Sequence, residues 1–207
     1  SIHDGWFSDH IRCVWGGDVL SFMWTGKQDA KSREDAGLYL SQKIRALSKE
    51  GAQVRIVSHS HGGNVVLHAA SFLNKFKGEG QGVSIAQFHS IARPNRDGEV
   101  GRSVEADRAI QWMGNYSSKS DPIQALGSDI KSLFLQKYRV DRAADENIIF
   151  SEKVKYSHAD MHRGTLLNLL SAKGNEVAKV NASPTKLSQD PALLEQLREL
   201  FGDVEGE

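Results

Sequence analysis

The chain has 207 residues, and its 26 Lys and Arg are balanced by 26 Asp and Glu, so the formal net charge is zero. That balance supplies no long-range field to gather nucleic acid or an anionic membrane, and no apolar run nears the ~20 residues of a membrane-spanning helix. With 39% hydrophobic and 25% charged residues, the composition is that of an ordinary folded domain; the single cysteine, Cys13, allows neither an internal disulfide nor a thiolate metal cage.

In chain order, Val19 to Trp24 reads as a strand that Gly26 breaks. Ala30 to Lys49 carries Ala36, Leu40, Ile44 and Leu47 at helical spacing, and Gly51 follows where helices commonly stop. Gln53 to Ser58 is the next strand and Gly63 to Lys75 the next helix. Strands are also expected over Val83 to Ile91, Ile110 to Tyr116 and Asn147 to Tyr156, and helices over Ile123 to Tyr138, Asp160 to Ala172 and Ser188 to Leu200. Alternating strands and helices predict an α/β fold, with one central, mostly parallel sheet flanked by helices on both faces. Residues 1–207 read as a single domain, with 202–207 as a flexible acidic tail.

The chemistry concentrates in Arg55-Ile-Val-Ser-His-Ser-His-Gly-Gly-Asn-Val-Val-Leu67. An apolar strand runs into Ser60, two glycines follow, and a helix begins. A serine on so tight a strand-to-helix turn needs small neighbours, because Cβ atoms at the flanks would collide. Ser58-His59-Ser60-His61-Gly62 matches the G-x-S-x-G pattern with serine in place of the first glycine. The turn would expose the Ser60 hydroxyl and bring the His61 N–H toward a developing oxyanion. The plainer reading of Ser60 is an ordinary helix N-cap.

Here the chain resembles the α/β-hydrolase fold, in particular small lipase- or esterase-like serine hydrolases with a minimal lid. The resemblance covers about four-fifths of the chain, from Val19 to the helix after His162. It implies a triad in the order serine, acid, histidine. Asn115-Tyr-Ser-Ser-Lys-Ser-Asp-Pro-Ile-Gln124 is similar to the loop presenting the acid, which puts Asp121 forward, with Asp107, Asp129 and Asp141 as fallbacks. Tyr156-Ser-His-Ala-Asp-Met-His162 is similar to the loop presenting the base, which favours His158 over its alternative, His162. The intervals leave room for two strand–helix units and then one, so all three residues can reach the C-terminal edge of the sheet, where such folds bind ligands. A second oxyanion N–H is expected from Gly5 or Trp6, in a segment that distantly resembles the family's His-Gly stretch.

The resemblance implies hydrolysis of a carboxylic ester, lipid or small acyl, through an acyl-enzyme on Ser60, with no cofactor, metal or nucleic-acid partner. His158 would serve as base and acid, and Asp121 would orient it. The start at Ser1 suits a hydrolase domain within a longer polypeptide, cytoplasmic or delivered as an effector. Two other classes compete. In a metal-dependent hydrolase His59 and His61 would be ligands, but Gly63 and Asn64 stand where that H-x-H-x-D-H pattern needs Asp and His. A binding module would keep the fold without the triad; otherwise His59 and His61 are packing and supporting groups beside the elbow.

Overall fold

A computed structural model describes residues 4–75, 82–94, 109–127, 141, 144–151, 157–158, 161 and 204–205. Its helices are α1 (Asp4–Trp15), α2 (Ala30–Lys49), α3 (Gly62–Lys75) and α4 (Pro122–Gly127). The strands are β1 (Arg55–His59), β2 (Gln87–Ile91), β3 (Met113–Ser118), β4 (Glu146–Phe150) and β5 (Val204–Glu205). The sheet runs β1-β2-β3-β4-β5 in space. The first four strands are parallel, and β5 closes the edge antiparallel to β4. This is the α/β class expected.

Period-two alternation divides the core. Ile56, Phe88 and Met113 are aligned neighbours on one face, where they pack with Ile44 of α2 and Val66, Ala70 and Leu73 of α3. Val57, Ile91, Tyr116, Ile148 and Phe150 point to the other face and meet Phe7, Ile11 and Trp15 of α1. Helices therefore cover both faces, as a buried parallel sheet requires.

α2 spans the residues its apolar stripe marked out. Asp29 caps it, accepting the Ser32 N–H at 2.7 Å. Arg45 of α2 reaches across to the carbonyl of Leu73 at 3.0 Å, serving one of the unpaired carbonyls at the end of α3. The two helices approach closely at Gly37, where an added Cβ would lie 2.4 Å from His68 Cβ and 3.0 Å from the Ala69 nitrogen. Alanine favours helix over glycine by ~1 kcal/mol, but the atoms in the way are fixed to backbone, so the clash wins. Gly37→Ala is expected to cost about 1–3 kcal/mol in urea unfolding; an unchanged midpoint would contradict this contact.

Several elements depart from the sequence reading, among them α1, which was not expected, and β2, which begins at Gln87 and not at Val83. Val19 to Trp24 forms no strand. Leu20 and Met23 are 68% and 78% exposed, so the apolar run lacks the two-faced burial that would hold a strand in place. β3 starts later and ends later than expected, with Ile110 making only an isolated bridge to Ile85. Its polar end is buried yet provided for, as Asn115 donates to Asn147 Oδ1 at 2.9 Å and Ser118 Oγ accepts from Ser120 N–H at 3.1 Å. Finally, Val204 and Glu205, within the segment read as a loose tail, pair with Phe150 and Ile149. The helices expected over Asp160 to Ala172 and Ser188 to Leu200 lie outside the described residues apart from Met161, as does most of the one expected over Ile123 to Tyr138, of which α4 is the described part.

His89, in the centre of β2, is fully buried. Its ring stacks on Trp15 with centroids 4.9 Å apart and shares a 3.0 Å hydrogen bond with the Tyr116 hydroxyl. Burial pushes its pKa down to about 3, and the charge of Arg55 adds to the shift. The folded ring stays neutral while the unfolded one binds a proton below ~6.5. Stability from this group is therefore complete above pH 6.5 and lost on acidification toward 3, at up to ~1.4 kcal/mol per pH unit. Between pH 7 and pH 5 the loss should be about 2 kcal/mol. His89→Gln, which has no titrating group, should show correspondingly less acid sensitivity in urea midpoints; a parallel pH dependence would contradict the assignment.

Candidate active site

The C-terminal ends of the four parallel strands lie side by side, and the candidate residues Ser60, Asp121 and His158 follow β1, β3 and β4 in the chain. Ser60 directly follows β1. Its φ of 56° is left-handed, a region costly for a residue with a Cβ. Two backbone bonds hold it there: the Ser60 N–H donates to Ile91 O at 2.8 Å, and its carbonyl accepts from Gly63 N–H at 3.0 Å. The turn into α3 is thus tied to the neighbouring strand and to the helix it starts.

The small residues around Ser60 have separate reasons. A Cβ on Gly62 would sit 3.7 Å from Ser58 Cβ, an ordinary contact, which is why serine is tolerated at the first position of the pattern. A Cβ on Gly63 would come within 2.6 Å of Arg93 Cδ, so the second glycine clears space for a buried arginine.

Asp121 lies just beyond β3 and is fully buried. One carboxylate oxygen accepts the N–H groups of Ile123 and Gln124 at 2.9 and 3.0 Å, capping α4. The other accepts from His158 Nδ1 at 2.7 Å. One oxygen thus holds the turn into α4 and the other holds the His158 ring. With Nδ1 donating to Asp121, a neutral His158 ring carries its lone pair on Nε2, the form a general base needs.

His158 follows β4 and its side chain is 12% exposed. Below it Met161 is fully buried in the α1-side core and its N–H donates to Ser157 O at 3.2 Å, anchoring the loop. His59, the residue before the elbow, donates from Nε2 to the His158 carbonyl at 2.8 Å, with ring centroids 4.6 Å apart. His59 therefore packs against His158 and holds its backbone. His61 Nδ1 faces the Asn64 amide at 3.4 Å. Among the described residues no three His, Cys, Asp or Glu side chains converge as a metal site would require.

The structure thus brings Asp121 and His158 into contact and sets Ser60 on a left-handed elbow at the same sheet edge. Asp141 is not an alternative acid partner, because its carboxylate is buried against Arg93. His162, Asp107 and Asp129 lie outside the described residues. Gly5 and Trp6 fall in the first turn of α1 rather than on a loop, and the Trp6 side chain lies outside the described residues. First-turn N–H groups have no partner within their own helix, so the helical placement keeps them eligible as donors.

Sequence reasoning missed Arg93, Asn64 and Gln124, all buried behind the elbow and the acid. Arg93 lies just past the strand expected over Val83 to Ile91. A signal was available in an arginine so close to an apolar strand end, since buried charges need specific partners. No helix among the described residues is long and apolar enough to cross a membrane. Comparisons with protein-family models, with curated proteins and with solved structures found no match to this chain.

Proposed function

We propose that this protein is a serine hydrolase of the α/β-hydrolase type that cleaves a carboxylic ester, lipid or small acyl, through an acyl-enzyme on Ser60. The observation that carries the reading is the 2.7 Å bond between His158 Nδ1 and buried Asp121, formed at the same sheet edge as the left-handed Ser60. An ordinary N-cap serine has no need of that conformation, and an ordinary turn aspartate has no need of a histidine.

In this mechanism Ser60 Oγ attacks the ester carbonyl while its proton passes to His158 Nε2. Asp121 stabilises the imidazolium without taking the proton. The tetrahedral oxyanion is received by the His61 N–H, with Gly5 or Trp6 as the second donor. Collapse breaks the bond to the alkoxy group, which leaves as the alcohol with the proton from His158. Water then attacks the acyl-Ser60, giving its proton to His158; collapse breaks the bond to Ser60 Oγ, which takes the proton back from His158, and the acid is released.

No metal enters these steps. The purified protein, dialysed against chelator, should cleave p-nitrophenyl esters at an undiminished rate, with the preferred acyl length read from a panel of short to long chains. Activity lost to chelator and restored by stoichiometric zinc would overturn the serine mechanism.

A further inference from the structure

We propose that Arg93 is a positioning residue that clamps the two halves of the site together, holding the oxyanion side through Asn64 and the acid side through Gln124. The proposal rests on the serine-hydrolase reading above and adds to it residues that touch no substrate. Arg93 follows β2, the strand between those that deliver Ser60 and Asp121, and is 2% exposed. Ala92 before it has a φ of 50°, so it and Ser60 are the two non-glycine residues of left-handed conformation among those described. Its N–H is pinned to Tyr116 O at 2.7 Å. A second strained turn beside the elbow, like the missing side chain of Gly63, serves to put this arginine underneath the site.

From there the contacts run both ways. Arg93 Nη1 donates to Asn64 Oδ1 at 2.9 Å, and the Asn64 amide nitrogen faces Pro94 O at 3.3 Å and His61 Nδ1 at 3.4 Å. His61 is the residue whose backbone N–H is assigned to the oxyanion, so the chain of contacts fixes the peptide after the nucleophile. On the other side Gln124 Nε2 donates to Arg93 O at 3.0 Å, while the Gln124 N–H donates to Asp121. The charge is balanced by Asp141, also buried, which Arg93 Nη2 meets directly. Asp141 is itself held through Asn147, whose Oδ1 accepts the Asp141 N–H at 2.8 Å. Removing Arg93 would strand a buried carboxylate, so the informative substitutions leave the ion pair in place.

The test is the rate of covalent labelling by a fluorophosphonate probe across pH, with melting temperature recorded for each variant. Asn64→Leu cuts the oxyanion side and should slow labelling about ten- to hundredfold with its pH dependence unmoved. Gln124→Leu cuts the acid side and should move the acidic limb of the profile to lower pH, because a loosened Asp121 stabilises the imidazolium less. Arg93→Lys keeps a charge opposite Asp141 but not the planar fork that serves Asn64 at the same time, so it too should slow labelling. As the mildest of the three, it keeps the question decidable should a leucine variant fail to fold. Folded variants that label at the wild-type rate with an unmoved limb would overturn the clamp and leave the serine assignment standing. A wild-type protein that does not label would overturn both.

Discussion

Replacing Ser60 by alanine is expected to leave a folded protein whose ester turnover falls by on the order of 10⁴–10⁶-fold. Alanine keeps the Cβ, so the left-handed φ of 56° remains as costly as before and neither the helix start nor the bond to Ile91 is disturbed. What is lost is one hydroxyl, and with it the atom that forms the acyl bond. The oxyanion donors remain and account for a residual rate above water. Stability offers an independent check of the elbow. Ser60→Gly removes the same hydroxyl but relieves the strained backbone, and because that relief outweighs glycine's greater unfolded-state entropy it should be about 1 kcal/mol more stable than Ser60→Ala. Wild-type turnover by Ser60→Ala on the esters the native protein cleaves would remove Ser60 from the mechanism.

His158→Ala should be nearly as damaging, because without a base the Ser60 hydroxyl stays protonated and the departing alcohol has no acid. The loss should fall on acylation, seen as the absence of a burst and a collapse in kcat/KM on activated esters. Asp121→Asn is expected to retain the cap on α4 through its side-chain carbonyl, yet to lose about 10⁴-fold by favouring the wrong imidazole tautomer. His162→Ala should leave acylation in place, since the base assigned is His158. If His162→Ala abolished acylation and His158→Ala did not, the base would be misassigned, while Ser60 chemistry and the α/β sheet would stand.

The parts of the molecule legible in the sequence were those written in local periodicity. α2 has an unbroken apolar stripe with a capping aspartate, and its limits could be read to the residue. The Ser58 to Gly63 segment was legible as an apolar strand running through a serine into a glycine pair, although the crowding expected at Gly62 is absent and Gly63 makes room for Arg93. Asp121 and His158 were put forward by the resemblance of their segments to loops that present an acid and a base, and their places after expected strands agreed with it. Val19 to Trp24 failed for the converse reason: six apolar-rich residues have strand character, but whether a strand forms depends on partners that the segment does not encode. The Arg93, Asn64 and Gln124 contacts were illegible because they join residues about thirty positions apart through side chains, with no spacing rule to betray them. His89 was unreadable for a related reason. A histidine in an apolar strand is either a ligand, a base or a core residue, and only the Trp15 and Tyr116 rings around it decide.

The central claim is that Ser60 is a nucleophile activated by the His158–Asp121 pair, and its most direct measurement is the site of a trapped adduct. The wild-type protein should be incubated with a fluorophosphonate, digested and analysed by mass spectrometry, alongside Ser60→Ala and His158→Ala. The account predicts one adduct per chain on the peptide carrying Ser60, none on Ser60→Ala, and labelling slowed by orders of magnitude on His158→Ala. An unlabelled wild-type protein, or an adduct on any other residue that persists in Ser60→Ala, would contradict it.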